Sequence, residues 1–156
     1  MAEITARQVS ELREATGVGM MECKRALEEA GGDREKALRL RRERGLATAQ
    51  KKAGRATNQG AIGAAVSADG KTAALVEINC ETDFVARNDQ FKAFVAEMAR
   101  RALETDAALA ETARDALTAM IQKTGENMQI RRNLRLRVQG KGEWFIMSTW
   151  ATRRRC

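Results

Sequence analysis

The sequence predicts an α+β protein, on three observations. Residues 1 to about 46 carry helical apolar spacing punctuated by cap and stop signals. From Gly60 the apolar period shortens to two, and a turn at Ser67-Ala68-Asp69-Gly70 separates two such stretches, a hairpin signature. Beyond Asn88 helical spacing returns over two segments, before a last strand-like run from Met128 to Val138. Helices and strands segregated along the chain argue for α+β over a parallel α/β sheet.

The elements follow in order. Thr5 with Gln8 forms a capping-box pattern at the first helix, where Val9 and Leu12 mark a narrow apolar face. Gly17-Val18-Gly19 breaks that helix. The second runs from about Met20 to Ala30, with Met20, Cys23, Leu27 and Ala30 on one side. Gly31-Gly32 stops it, and Asp33 is placed to cap a third helix that ends at Gly45. A bundle this small has a thin core and is marginal alone. Residues 47–58, rich in Ala, Lys, Gly and Thr, read as a partly helical linker. In the first strand Ile62, Ala64 and Val66 alternate with small residues, and the return strand is Thr72 to Asn79. A helix from about Asp89 to Thr105 buries Phe91, Phe94, Val95, Met98 and Leu103. The next, from about Ala107 to Thr124, turns Leu109, Ala113, Leu117 and Ile121 inward, and Gly125 ends it.

Composition narrows the function. The chain has 156 residues, room for one medium domain or two small ones. No run of about 18 apolar residues suggests a membrane span. The start is polar and acidic by Glu3, so no signal peptide is expected and a cytoplasmic protein is. Cys23, Cys80 and Cys156 have no metal-ligand spacing and the chain has no histidine, which argues against a zinc site and removes Ser-His and Cys-His catalysis. No cofactor, metal site or enzymatic constellation is expected.

The net charge of +7 is concentrated between Arg34 and Arg55, where nine lysines and arginines fall. That segment is the best argument for a nucleic-acid binder. Against it, no aromatic residue precedes Phe84, so bases have no stacking platform there, and a solvated helix face explains the charge as well.

The most informative stretch is Asn79-Cys80-Glu81-Thr82-Asp83-Phe84-Val85-Ala86-Arg87, which puts a carboxylate and a phenyl ring at a strand end. Two readings are open. Thr82 or Asp83 caps a helix and Phe84 is tucked into the core, or the segment is a rigid wedge that enters a partner protein.

The N-terminal MAEITARQVSELREATGVGMMECKRALEEAGGDREKALRL, the ETDFVARNDQF segment and the TGENMQIRRN segment resemble the bacterial elongation factor Ts family, in its order and spacing, over roughly residues 1 to 140. Because motif-bearing sequence begins at once, no transit peptide is expected. The resemblance implies a ubiquitin-associated-like bundle over 1–46, a linker over 47–58, and the N-terminal half of a core domain over 59–142, with Met128 to Val138 closing an antiparallel sheet. It implies guanine nucleotide exchange on elongation factor Tu, a binding activity that alters no covalent bond, without direct nucleic-acid contact. Thr82, Asp83, Phe84 and Val85 would form the tip: Phe84 parts helices of the GTPase domain, and Asp83 disturbs the support of its Mg²⁺. Arg13, Met20 and Met21 would grip the GTPase surface, although one of the methionines could equally pack in the core. Some short family members act as dimers, so a dimer is also open. A free-standing ubiquitin-associated-like interaction module is the further alternative.

Two departures stand out. Position 41, on the inner face of the third helix, is usually leucine in the family and is Arg41 here. It either snorkels to solvent or weakens the bundle. After Gly142 the resemblance stops, at EWFIMSTWATRRRC. Read one base earlier, with permitted codons, this tail becomes a Val-, His- and Tyr-bearing run like the family's next strand. Residues 143–156 are therefore expected to be an out-of-frame tail on a truncated chain, the alternative being a divergent C-terminus.

Overall fold

The computed structural model describes residues 4–146. The chain divides into two compact units, Met1–Ala56 with Asp115–Asn127, and Thr57–Arg114 with Met128–Cys156. Helices and an antiparallel sheet coexist, so the fold is α+β.

The first unit is built on α1 (Ala6–Thr16), α2 (Met20–Glu29) and α3 (Arg34–Lys52). The capping box at Thr5 is present: its hydroxyl accepts from Gln8 N–H at 3.3 Å, and Gln8 Oε1 accepts from Thr5 N–H at 2.9 Å. Gly17, left-handed at φ 69°, ends α1 by donating its N–H to the Arg13 carbonyl at 2.7 Å. Asp33 caps α3 by accepting from Lys36 N–H at 3.0 Å. Val9, Leu12, Val18, Cys23, Ala26, Leu27, Ala30 and Ala37 form the core, and Met20 is not among them. It stands at the first turn of α2, 57% exposed, while Ala26 is buried with Cys23 and Leu27.

The third helix does not stop at Gly45. It runs to Lys52, with Gly45 buried in its interior beside Ala37 and Arg41. An interior glycine costs about 1 kcal/mol relative to alanine. Here it makes room: a Cβ at Gly45 would collide with the Gln122 side chain of α7 (Arg114–Thr124). Asn127 Nδ2 donates to the Arg55 carbonyl at 2.8 Å, tying the end of that segment to the chain beyond α3.

In the second unit β1 (Gln59–Val66), β2 (Thr72–Cys80) and β3 (Met128–Arg137) form an antiparallel sheet in the order β1-β2-β3. The β1–β2 turn is held by Asp69, whose carboxylate accepts from Ser67 Oγ at 2.5 Å and Lys71 N–H at 3.0 Å. Val76, Ile78 and Cys80 of β2 are buried, as are Phe91, Phe94, Val95, Met98 and Ala102 of α5 (Asp89–Ala102). In β1 the larger side chains are not the buried ones. Gly63 and Ala65 face inward, and Ile62 is 71% exposed. The cause is close approach: a Cβ at Gly63 would lie 2.8 Å from Val95 Cγ1 and from the Val95 carbonyl oxygen.

The helix expected over 107–124 is interrupted. Ala113, at φ −107° and ψ 16°, separates a short α6 (Leu109–Thr112) from α7. Leu109 and Ala113 are buried as expected, and so is Ile121, but Leu117 is only half-buried while Thr118 and Met120 are buried. Leu103 likewise sits at the end of α5, half-buried, with Ala102 inside instead.

Candidate functional site

The tip grows out of the end of β2. Cys80 is buried and its thiol donates to the Thr82 carbonyl at 3.3 Å, which fixes the turn out of the sheet. Thr82 then caps α4 (Asp83–Arg87), accepting from Val85 N–H at 3.3 Å. Asn88 follows at once and caps α5 through Gln90 N–H at 2.8 Å. Two caps in seven residues leave this segment little conformational freedom.

The structure divides the first reading of the tip. Thr82 is the cap, but Phe84 is not in the core: it is 82% exposed. Asp83, in the first turn of α4, pairs with Arg87 at 3.2 Å, and its side chain remains 46% exposed. Val85 is half-buried and anchors the inner side of the turn. The short helix therefore presents a phenyl ring to solvent beside a carboxylate at a helix N-terminus, where negative charge is favoured.

Arg13, Met20 and Met21 belong to the other unit. Arg13 is exposed on the last turn of α1, and its carbonyl receives the Gly17 N–H. Met20 and Met21 open α2 with 57% and 63% exposure, so neither is used as core. The next two residues are tied to the fold. Glu22 Oε2 accepts from Arg41 Nη2 at 2.9 Å, and Cys23 is fully buried.

Arg41 lies inside, with 8% exposure, as its place on the inner face implies. Its guanidinium reaches Glu22, while its Nε is buried without a partner. The basic segment is partly neutralised in the same way. Arg41 pairs with Glu22 and Arg44 with Glu29, and the Arg44 pairing holds the Glu29 carboxyl below its usual range. At least two of the nine basic side chains of this segment are thus held by acidic partners.

Sequence reasoning missed the outward face of the sheet. Ile62, Leu75 and Leu134 are exposed there, with Leu75 opposite both Ala64 and Leu134. Beside them, a bulge between Glu77 and Ile78 sets Arg131 and Arg132 together opposite Glu77. Arg132 Nε lies 2.6 Å and Arg131 Nη1 3.2 Å from its carboxylate. The hydrogen bond from Arg132, chiefly, lowers the Glu77 pKa. The period-two pattern was the available signal, but it does not say which face is covered.

Among the described residues no three His, Cys, Asp or Glu side chains gather as a metal would require, and no helix is long and apolar enough to cross a membrane. The described part of the C-terminal segment returns to the hairpin: Trp144 N–H donates to the Gly70 carbonyl at 2.7 Å, and Lys71 Nζ to the Gly142 carbonyl at 2.6 Å. The remainder of the expected out-of-frame tail, 147–156, lies outside the described residues.

The sequence that builds this tip matches a class of translation elongation factor. The family model described as Elongation factor TS matches residues 81–147, which include the tip and β3. That match continues past Gly142, where the resemblance was expected to stop. Elongation factor Ts of Nitratidesulfovibrio vulgaris is 50% identical over 139 residues, covering 89% of this chain and 48% of that protein. The Arthrospira platensis protein of the same name is 57% identical over 143 residues, 85% of this chain and 58% of its own. That of Clostridium tetani is 48% identical over 149 residues, 87% and 49%. The chain belongs to the elongation factor Ts family, and it spans about half the length of the curated relatives it matches.

Proposed function

We propose that this chain binds the GTPase elongation factor Tu and promotes release of its GDP. The observation that carries the reading is Phe84, 82% exposed on a doubly capped turn beside Asp83. Leaving a phenyl ring in water costs about 1.5–3 kcal/mol of burial energy that a partner can recover. In this reading Phe84 enters between helices of the GTPase domain, Asp83 disturbs the groups that support Mg²⁺, and Thr82 and Val85 hold the turn. Arg13, Met20 and Met21 grip the GTPase surface. The first unit, residues 1–56 with 115–127, serves as the docking body in place of the expected 1–46 bundle and 47–58 linker, and residues 57–114 with 128–142 carry the tip in place of the expected 59–142 half-core.

An exchange factor must bind the nucleotide-free GTPase better than the loaded one, and the coupling is reciprocal: nucleotide weakens the factor as the factor weakens nucleotide. No covalent bond changes, so the activity is not enzymatic and needs no cofactor. The cytoplasm is its expected compartment. Because the chain spans about half of its relatives, its exchange is expected to be weaker than theirs.

The test is release of labelled GDP from elongation factor Tu, with a full-length relative as reference. The chain should accelerate release, and Phe84→Ala should abolish most of that acceleration. Binding of the GTPase with no change in GDP release, while the full-length relative accelerates it, would leave the chain as an interaction module and sink the exchange reading.

A further inference from the structure

Among the described residues two methionines stand apart from the others. Met98, Met128 and Met120 are 0%, 3% and 6% exposed, whereas Met20 and Met21 are 57% and 63% exposed. The described cysteines, Cys23 and Cys80, are both buried. Exposed soft sulfur is therefore concentrated, among the described residues, at one turn.

The geometry of that turn separates the pair from the fold. Gly19 precedes α2 in an extended conformation, and its carbonyl accepts from Glu22 and Cys23 N–H, both at 3.1 Å. Inward, α2 is held by buried Cys23, Ala26 and Leu27 and by the Arg41–Glu22 ion pair at 2.9 Å. Met20 and Met21 contribute little to that anchoring, so their side chains can change without unpacking the helix.

We infer that Met20 and Met21 form a sulfoxidation site whose modification weakens partner docking and spares the fold. The oxidant class is a hydroperoxide. A thioether lone pair attacks the distal peroxide oxygen, the S–O bond forms as the O–O bond breaks, and with hydrogen peroxide the leaving hydroxide takes the proton and departs as water. Each sulfur is oxidised by two electrons and one peroxide is reduced; a thiol-dependent sulfoxide reductase reverses the step. A sulfoxide replaces an apolar, adaptable contact with a polar oxygen, which a dry interface leaves unpaired. The docking part rests on the proposed function; the selectivity part does not.

The experiment treats the full chain alone with hydrogen peroxide and removes the excess with catalase. Peptide mass spectrometry then follows oxygen uptake at each methionine, and the same samples are titrated against nucleotide-free elongation factor Tu. Met20 and Met21 should oxidise at least about tenfold faster than Met98, Met120 and Met128. Affinity should fall about tenfold or more, with an unchanged circular dichroism spectrum, and methionine sulfoxide reductase should restore it. In M20L/M21L, whatever its starting affinity, peroxide should change nothing. Equal oxidation rates at all five sites would overturn the selectivity. Unchanged affinity with both sulfurs oxidised, or an equal loss in M20L/M21L, would overturn the docking effect. If the untreated chain binds no elongation factor Tu, the proposed function falls and takes the docking effect with it, while the rate contrast is still decided by the mass spectra.

Discussion

Replacing Arg41 by leucine should stabilise the helical unit, and the structure allows the size of the effect to be worked out. Arg41 occupies the inner face of α3 with Ala37 and Gly45, and is 8% exposed. Its one ion pair is to Glu22, whose side chain is 56% exposed. A pair with one member so well hydrated is worth about 0–1 kcal/mol. Against that stands the buried Nε without a partner, a penalty of about 1–3 kcal/mol. Leucine carries about one more apolar carbon than the arginine stem, a gain of about 0.8 kcal/mol, but leaves space where the guanidinium lay, costing about 1 kcal/mol. At the middle of these ranges the net is stabilisation by about 1 kcal/mol. Urea unfolding of the full chain, followed through backbone amide NMR signals of α1, α2 and α3, is the assay, because two units need not melt together. The midpoint for these amides should rise by roughly 0.5–1 M. A double-mutant cycle adds a control: Glu22→Gln should destabilise the wild type by about 1 kcal/mol, and Arg41→Leu should remove most of that effect. A neutral or lower midpoint for Arg41→Leu would refute the reasoning, because it would mean that the ion pair outweighs the buried, unpartnered nitrogen.

Four further outcomes are expected. Phe84→Ala should lower GDP-release activity by at least tenfold, roughly the burial energy of a phenyl ring, while the thermal midpoint barely moves; a large fall in the midpoint with normal release per folded molecule would make Phe84 a core residue. Asp83→Asn should slow GDP release most at high Mg²⁺, and an equal deficit across a Mg²⁺ titration would remove the metal from the explanation. Glu77 has a lowered pKa because Arg132, chiefly, hydrogen-bonds its carboxylate, so its contribution is present above the ordinary carboxylate pKa and is lost as pH falls through the lowered one; thermal melts from neutral to acid pH should show a shallower acid loss in Glu77→Gln, and superimposable curves would count against the Arg131–Glu77–Arg132 cluster. We propose that Glu143 to Cys156 is an out-of-frame tail, so its deletion should preserve any exchange activity and raise soluble yield, since exposed Phe145 and Ile146 go with it; unfolding of the shortened chain would show that the Trp144–Gly70 contact is structural.

Much of the fold was legible locally because its signals are local. The Thr5–Gln8 capping box, the Gly17 stop, the Asp33 cap and the Asp69-Gly70 turn each depend on residues a few positions apart, and each is in place. The span of β2 and most of the buried face of α5 follow from periodicity, which is also a local property. The likeness to the family rested on the same kind of short segment, and the comparisons bear it out.

What the sequence left open are choices that depend on a neighbour far away in the chain. Gly45 reads as a helix stop, but the helix continues through it, and the end of the Gln122 side chain lies where a Cβ would be. Ile62 reads as the weight-bearing residue of β1, yet it faces out, and Val95 approaches the inward Gly63 too closely for a larger side chain there. Thr82 could be recognised as a cap from its own neighbours. Whether Phe84 was covered could not, because burial is decided by what packs over a residue, and nothing in the second unit packs over this one beyond the small part of its surface that is hidden. Caps, stops and periods are thus determined by the sequence itself, through interactions within one or two turns of chain. Which face is inward, where a glycine is a hinge or a seat, and which aromatic stays in water are decided only when distant segments compete for the same volume.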